Sequence, residues 1–316
     1  MDIKVVILMT TYNGMNYLVQ QIDSIIQQDY TNWLLYISDD KSTDNTMTIL
    51  RRYQYRYANK IFILDNASAF SNPKDNFLNL LLRVGGELFM FCDQDDVWRH
   101  DKISISVEVY NKLSDEEKKK PILIHSDLNV VNEKLKTIKK SFFKYSYINP
   151  KRNKLKNLIV QNTVTGCTVL INRMVVDNIV PHLSKNEYVF SDIIIHDWLC
   201  ALVASSFGQI ICIDDQLVMY RQHSRNSIGA RDAWSYKYVF SLLKNNRIKK
   251  SILDTERQAA AFLHIYGDRL ELNVRKTIKL YSILESYPKY YRMYFIIKNG
   301  LLKYGIVRKI VQLIVI

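Results

Sequence analysis

The stretch Leu88-Phe-Met-Phe-Cys-Asp-Gln-Asp-Asp-Val-Trp98 ends a short apolar run on three carboxylates, Asp93, Asp95 and Asp96. A buried strand that stops at such a cluster points to a metal, because like charges held together raise one another's pKa and oppose folding. Hard oxygen donors at this spacing suit Mg2+ or Mn2+, and those ions suit a diphosphate substrate. The same residues also read as an acidic turn capping a helix that begins near Trp98.

Working outward from this run, Val5–Met9 is a continuous apolar segment fitting a buried parallel strand, and Leu18, Ile22, Ile25 and Ile26 then recur at helical spacing. Trp33–Ile37 reads as a second strand ending at Asp39-Asp40. Ser42 or Thr43 can cap the helix that follows, with Met47, Leu50 and Tyr53 inward. Ile61–Leu64 is a third strand, 77–84 a helical stretch and Leu88–Phe91 a fourth strand. The alternation predicts an α/β domain with ligands at the carboxyl ends of its strands, where Asn13, Asp39, Asp40 and Asp93 fall. Thr11-Tyr-Asn-Gly14 carries neither a GxGxxG nor a GxxxxGK[ST] pattern, which disfavours a bound NAD or a P-loop ATP site. A mononucleotide read by carboxylates fits better. One acidic side chain can accept the imide N–H of uracil or thymine and another a sugar hydroxyl. Asp39 and Asp93 are placed for those roles, and each also reads as an ordinary turn or N-cap aspartate.

The chain has 316 residues, 48% of them hydrophobic, enough for one large domain or a principal domain with an appendage. The first apolar stretch is too short for a signal peptide, and no segment offers the roughly twenty uninterrupted apolar residues needed to cross a bilayer. The four cysteines stand singly without metal spacing and read as reduced core residues of a cytosolic protein. Of the formal net charge of +13, more than half comes from residues 276–316, which hold eight basic residues and one acidic residue, Glu285. The sign alone permits nucleic acid. The setting favours a membrane surface: Tyr287, Tyr290, Tyr291, Tyr294 and Phe295 alternate with Lys289, Arg292 and Lys298, and the chain closes with Ile306, Val307, Ile310, Val311, Leu313 and Ile314 around Arg308 and Lys309. Such a segment can lie in the interface with its basic residues toward anionic lipid. The competing reading is a basic helix docked on the main domain.

Residues 114–121 form a charged loop that closes the first half, and Ile122–Ile124 resumes as a strand. Residues 134–156 lack periodicity and read as a loop-rich edge of an acceptor groove. Gly166 allows a close backbone approach before an apolar strand. Ile193-Ile-Ile-His-Asp-Trp-Leu199 puts Asp197 between His196 and Trp198 at the head of an apolar helix, where the helix N-terminus stabilises the ionised form. A carboxylate beside an aromatic platform is what a general base facing a sugar hydroxyl needs. After a further strand, His223 can supply an imidazole ligand, and Arg221 and Arg225 can bind diphosphate oxygens. A lone histidine also reads as a core or surface residue.

Taken in order, Thr10-Thr-Tyr-Asn-Gly14, Gln20-Gln-Ile, Trp33, Ser38-Asp-Asp-Lys-Ser-Thr-Asp44, Asn76-Phe77, Cys92-Asp-Gln-Asp-Asp-Val-Trp98, Gln161-Asn162, Thr165-Gly-Cys-Thr168, His196-Asp-Trp198 and Tyr220-Arg-Gln-His223 resemble the inverting GT-A glycosyltransferases of family 2, in their bacterial rhamnosyltransferase-like branch. The resemblance runs from the first strand to about Gly229. It implies an α/β GT-A fold, a Rossmann-like nucleotide-binding sheet with helices on both faces, over residues 1–229 (1–115 nucleotide-binding, 116–229 acceptor-facing). Residues 230–316 would form a mainly helical basic extension. By resemblance, Thr10, Thr11, Tyr12, Asp39 and Asp40 line the nucleobase pocket, Asp93 touches the nucleotide sugar ring and Asp95 reaches the metal, with His223 as a further ligand of Mn2+ or Mg2+. Asp96 either stands behind the metal ligands or touches the donor sugar, and Asp197 takes the place of the catalytic base; from the residues themselves, Arg221 and Arg225 are expected at the donor sugar or diphosphate, and Gln161, Gly166, His196 and Trp198 at the acceptor or its pocket. Many members carry Glu-Asp where this chain has His196-Asp197. The Gln-x-x-Arg-Trp motif of processive synthases is absent, which implies single addition. The implied reaction moves L-rhamnose from dTDP-β-L-rhamnose onto a lipid-linked polysaccharide at the inner face of the plasma membrane, with no nucleic acid and with homo-oligomers left open. UDP-galactose or UDP-glucose transfer, a non-catalytic scaffold and a nucleic-acid-binding protein are the alternatives.

Overall fold

The structure, a computed structural model, describes residues 3–67, 69–70, 72–183, 185, 187–224, 226 and 247–316. The first half alternates as the sequence predicts: β1 (Val5–Thr11), α1 (Leu18–Ile26), β2 (Trp33–Asp39), α2 (Thr46–Arg56), β3 (Ile61–Leu64), α3 (Pro73–Arg83) and β4 (Leu88–Cys92). These four strands are parallel, in spatial order β3-β2-β1-β4. All seven residues of β1 are buried, which is why that run is apolar throughout. Val6 and Leu8 enter one core with Phe89 and Phe91, whereas Val5, Ile7 and Met9 enter the opposite core with Leu88 and Met90. Each such side chain contributes roughly 1.5–3 kcal/mol of burial. Helices cover both faces: α1 and α2 bury Leu18, Ile22, Ile25 and Leu50 on one side, and α3 buries Phe77, Leu80 and Leu81 on the other.

Three boundaries differ from expectation. Helix α3 starts at Pro73, because Asn72 accepts the Asp75 N–H at 2.9 Å and proline suits the first helical turn. Trp98 does not open a helix. It lies in β5 (Val97–Trp98), a two-residue strand paired antiparallel with the end of β9, and α4 (Lys102–Asn111) begins four residues later. Helix α2 is entered from Asn45, not Ser42 or Thr43.

The second half continues the same sheet across residue 115. After α5 (Asp115–Lys118) come β6 (Ile122–Asn132), β7 (Thr137–Lys139), α6 (Phe142–Tyr145), α7 (Leu155–Leu158), β8 (Leu170–Asn172), α8 (Arg173–Leu183), α9 (Glu187–Phe190), α10 (His196–Phe207) and β9 (Gln209–Gln222). Strand β8 runs antiparallel to β4 and β6, and β9 runs parallel to β6 with bulges around Asp127. That long strand carries Arg221 to the acidic turn after β4.

Helices α11 (Arg247–Tyr266), α12 (Leu272–Ser282), α13 (Lys289–Asn299) and α14 (Ile306–Val315) follow. They are not a detached tail: Phe262, Tyr281, Phe295, Ile296, Leu301 and Ile316 join the core that holds Val6 and Phe89. Residues 230–246 of the expected extension lie outside the described residues, as does Arg225.

Candidate active site

Strands β1, β2 and β4 end side by side, with Thr11 opposite Asp39 and Met9 opposite Cys92. The strand order reverses between β1 and β4, the crevice where open α/β sheets receive ligands. Asp39 is fixed there by internal donors. Its Oδ1 accepts Thr11 Oγ1 at 2.7 Å and Ser42 Oγ at 2.6 Å, and its Oδ2 accepts the Ser42 N–H at 2.8 Å. One lone pair of Oδ2 is left by this count for an outside donor. Thr10 and Thr11 are buried while Tyr12 is exposed. Asp40 accepts the Phe70 N–H and so ties down the loop beside the pocket.

Gln94, to which the sequence reading gave no role, closes this wall. Its amide holds the Tyr12 peptide from both sides at 2.9 Å, donating to the carbonyl and accepting from the N–H. Gly14 makes room for it, since a Cβ there would meet Gln94 Oε1 at 2.2 Å.

The carboxylates of the acidic turn have separate surroundings. Asp95 Oδ2 lies 2.7 Å from His223 Nε2, and His223 stacks on Tyr17 with ring centroids 4.8 Å apart. The carboxylate is the hard oxygen donor that Mn2+ and Mg2+ take, and the imidazole nitrogen beside it suits Mn2+ better than Mg2+. Asp93, Asp96 and Cys167 also present ligand atoms within 4.8 Å of one another. That set suits such an ion less well: burial and the neighbouring aspartates hold the Cys167 thiol protonated, and a thiol is soft. Burial, together with the charges of Asp95 and Asp197, raises Asp93 to about 7. Burial, Asp95 and Asp93 raise Asp96 well above the carboxylate range.

Asp96 is fully buried and accepts the Arg221 backbone N–H at 3.0 Å, so it anchors the turn and offers no surface to a donor sugar. Arg221 is likewise corrected from the diphosphate-binding expectation. Its guanidinium donates to the carbonyls of Asp95 (2.7 Å) and Glu133 and to Gln20 Oε1 (2.6 Å), 4.6 Å above the Tyr17 ring. Every arm is used internally. Beneath the turn, Lys102 is fully buried with Nζ 3.4 Å from the Trp98 ring centroid, and burial lowers it to about 8.

Asp197 stands in the first turn of α10, 4% exposed. It accepts Asn162 Nδ2 at 3.2 Å and the backbone N–H groups of Trp198 and Gly166. Burial outweighs these donors and raises the carboxyl to about 7, a value suited to a general base near neutral pH. Gly166 lies against it: a Cβ would sit 3.3 Å from Asp197 Oδ2 and 3.2 Å from His196 Nε2.

Three expected acceptor-pocket residues have other work. His196 is buried between Phe77 and Phe91 (centroids 4.1 and 4.7 Å away), and burial lowers it to about 3, so it is a neutral core ring. Trp198 is buried with its indole N–H donated to the Leu158 carbonyl at 2.6 Å. Gln161 Oε1 accepts the Tyr304 N–H at 2.7 Å, which spends it on the C-terminal segment. Only partners supplied by distant chain could have revealed these uses.

The family model for Glycosyl transferase family 2 matches residues 6–179. The chain is 28% identical over 249 residues to the dTDP-rhamnosyl transferase RfbG of Shigella flexneri, covering 77% of this chain and 82% of that protein. It is 22% identical over 215 residues to the UDP-Glc:alpha-D-GlcNAc-diphosphoundecaprenol beta-1,3-glucosyltransferase WfgD of Escherichia coli, covering 67% of this chain and 74% of that one. Among solved structures, S. aureus TarS 1-349 in complex with UDP superimposes with a TM-score of 0.51 at 15% identity, covering 94% of this chain and 92% of the other. The shared architecture is the α/β GT-A fold. The family match spans more than half of the chain, including the acidic turn and the crevice before it, and the protein is therefore a glycosyltransferase that belongs to family 2.

Proposed function

We propose that this protein transfers L-rhamnose, with inversion, from dTDP-β-L-rhamnose to a hydroxyl of a lipid-linked polysaccharide acceptor. The observation that carries the reading is the placement of the Asp197 carboxyl, buried in the first turn of α10, held by Asn162 and the Gly166 N–H, and near enough to Asp93 of the acidic turn for its charge to raise that group. A base is thus paired with a donor-binding turn. Asp39, with one free lone pair on Oδ2, would accept the imide N–H of the base, and Asp93 would meet the nucleotide sugar ring. Asp95 and His223 would hold Mn2+ or Mg2+, which when bound offsets charge on the departing diphosphate. Asp197 takes the proton of the acceptor hydroxyl. The oxygen forms a bond to the anomeric carbon as the carbon–diphosphate bond breaks on the opposite face. One base suffices and configuration inverts. Asn162 and the Gly166 N–H keep the Asp197 carboxylate oriented throughout.

The likeness to RfbG supports the rhamnose donor. The likeness to WfgD favours a second reading, transfer from a UDP-hexose, because a carboxylate reads uracil and thymine through the same N–H. Incubation with dTDP-rhamnose, UDP-glucose and UDP-galactose, each with Mn2+ or Mg2+ and a lipid-linked acceptor, decides between them. Product from dTDP-rhamnose alone is expected. Product from a UDP-sugar alone replaces the donor assignment, and no product from any donor overturns the reading.

A further inference from the structure

The C-terminal helices separate their side chains into two sets. Helix α13 buries Phe295 and Ile296, and Tyr287, Tyr291 and Phe295 stack along one side. The chain around α14 buries Leu301, Val311 and Ile316. Outward, α13 leaves Tyr290, Tyr294 and Ile297, and α14 leaves Ile306, Ile310 and Ile314, each more than half exposed. Both sets recur at helical spacing and form continuous rows. Lys289 Nζ donates to the Ile314 carbonyl at 2.6 Å, and Gln312 bonds the Leu301 carbonyl and the Lys303 N–H, so the end of α14 is tied both to the start of α13 and to the chain that follows it. Phe295 and Ile296 of α13 enter one common core with Leu301 and Ile316, the residues that flank α14.

The expectation that all the basic residues here face lipid is corrected. Arg308 donates to the carbonyls of Ser146 and Tyr147, both at 2.7 Å, and Arg292 is half-buried. Lys289 and Lys298 are exposed, Lys298 on the row of Tyr294 with its Nζ 5.3 Å from that ring, and Lys309, half-buried like Arg292, lies between Ile306 and Ile310 in the sequence. From Lys289 to Ile316 the chain contains no Asp or Glu. An apolar and aromatic face flanked by cations and free of anions matches an anionic lipid surface, and repels neither headgroup nor acyl chain.

The chain between α13 and α14 is also joined to the reaction site. Gln161 accepts the Tyr304 N–H, at the turn between the two helices, and the next residue, Asn162, donates to Asp197 Oδ1. Tyr304 stacks on Tyr147 at 5.2 Å, and Gly305, at φ 94°, lies where a Cβ would press on Tyr147 at 2.8 Å.

We propose that the exposed rows of α13 and α14 dock on an anionic membrane surface and, through Gln161–Asn162, set the Asp197 side of the site at a fixed place relative to that surface. The use of this arrangement rests on the lipid-linked acceptor proposed above, whereas the docking itself does not. The test is flotation of the full chain with phosphatidylglycerol/phosphatidylcholine vesicles and with phosphatidylcholine vesicles. The chain is expected to float with the anionic vesicles and to be depleted about tenfold from the neutral ones. The combined variant Ile306→Ser, Ile310→Ser, Ile314→Ser is expected to stay in solution while keeping its melting temperature and its affinity for dTDP. Lys298→Glu with Lys309→Glu should lower flotation on anionic vesicles only. A parent chain that floats with neither vesicle overturns the proposal, as does an isoleucine variant that floats like the parent. Self-association or RNA binding through this face without vesicle binding overturns it as well. Vesicle binding by a chain that transfers no sugar leaves the docking standing and removes the functional reading instead.

Discussion

Asp95 Oδ2 and His223 Nε2, 128 residues apart in sequence, meet at 2.7 Å. The meeting depends on β9 turning beside the short strand β5, where Val97 pairs with Met219 and Trp98 with Val218. Tyr17 supports the imidazole from below. Loss of a group one step removed from a metal costs roughly 10- to 100-fold in affinity, so loss of a direct ligand should cost at least about tenfold. Asp95→Ala and His223→Ala are each expected to weaken Mn2+-dependent donor binding by that factor in calorimetry and to leave metal-free nucleotide binding unchanged.

Arg221 acts through the fold. Its guanidinium holds two main-chain carbonyls and Gln20 in the interior, and hydrogen bonds to a charged group are worth about 1.5–3 kcal/mol each. Arg221→Met is therefore expected to lower stability by roughly 3 kcal/mol or more in denaturant melts. A variant with unchanged stability and only a raised donor KM would return this residue to diphosphate binding.

Gly14 and Gln94 form one device, since a methyl at position 14 would evict the Gln94 amide from the Tyr12 peptide. Gly14→Ala and Gln94→Ala should raise donor KM by similar factors, and the double variant should be no worse than the weaker single one by more than about twofold, the non-additivity expected of partners in one contact. Steady-state kinetics on the three proteins checks this.

Asp93 gives a pH signature. Its carboxyl is raised to about 7 in the folded protein by burial, Asp95 and Asp197, against 3.8 ordinarily. Between those values the unfolded chain releases the proton and the folded one keeps it, so this group's stabilisation is present at low pH and is lost as pH rises toward 7. The buried, neutral histidines His125 and His196 act in the opposite direction, so the informative quantity is a difference. Asp93→Asn is expected to gain stability relative to the parent, on the order of a kcal/mol or more, as metal-free protein is taken from pH 5 to 7.5. Urea midpoints at the two pH values measure it.

The parallel half of the fold was legible because its strands are buried on both faces and their apolar runs end at polar residues of the crevice. The acidic turn was legible for the same reason: Leu88–Cys92 is apolar throughout and buried, and the carboxylates that follow mark where this strand ends at the crevice. Trp98 misled because a two-residue strand has no periodicity. Arg221, Gln161 and Trp198 misled differently. Residue type announces a hydrogen-bonding capacity, but the acceptors and donors that consume it here are main-chain groups of Asp95, Tyr304 and Leu158, distant in sequence. For Asp96 the sequence leaves a place behind the ligands and a contact to the donor sugar equally open, because nothing local distinguishes it from Asp95, and the arrival of β9, which buries it, favours the first.

The central claim is that Asp197 accepts the acceptor's proton, and Asp197→Asn tests it most directly. General-base assistance contributes about 10^2- to 10^4-fold, and asparagine keeps the shape of the side chain while losing the proton-accepting carboxylate. The measurement is single-turnover transfer from dTDP-rhamnose by parent and variant, with donor affinity determined by calorimetry on the same preparations. A transfer rate reduced by at least about 100-fold is expected, with a donor dissociation constant within about twofold of the parent. Transfer within tenfold of the parent would contradict it.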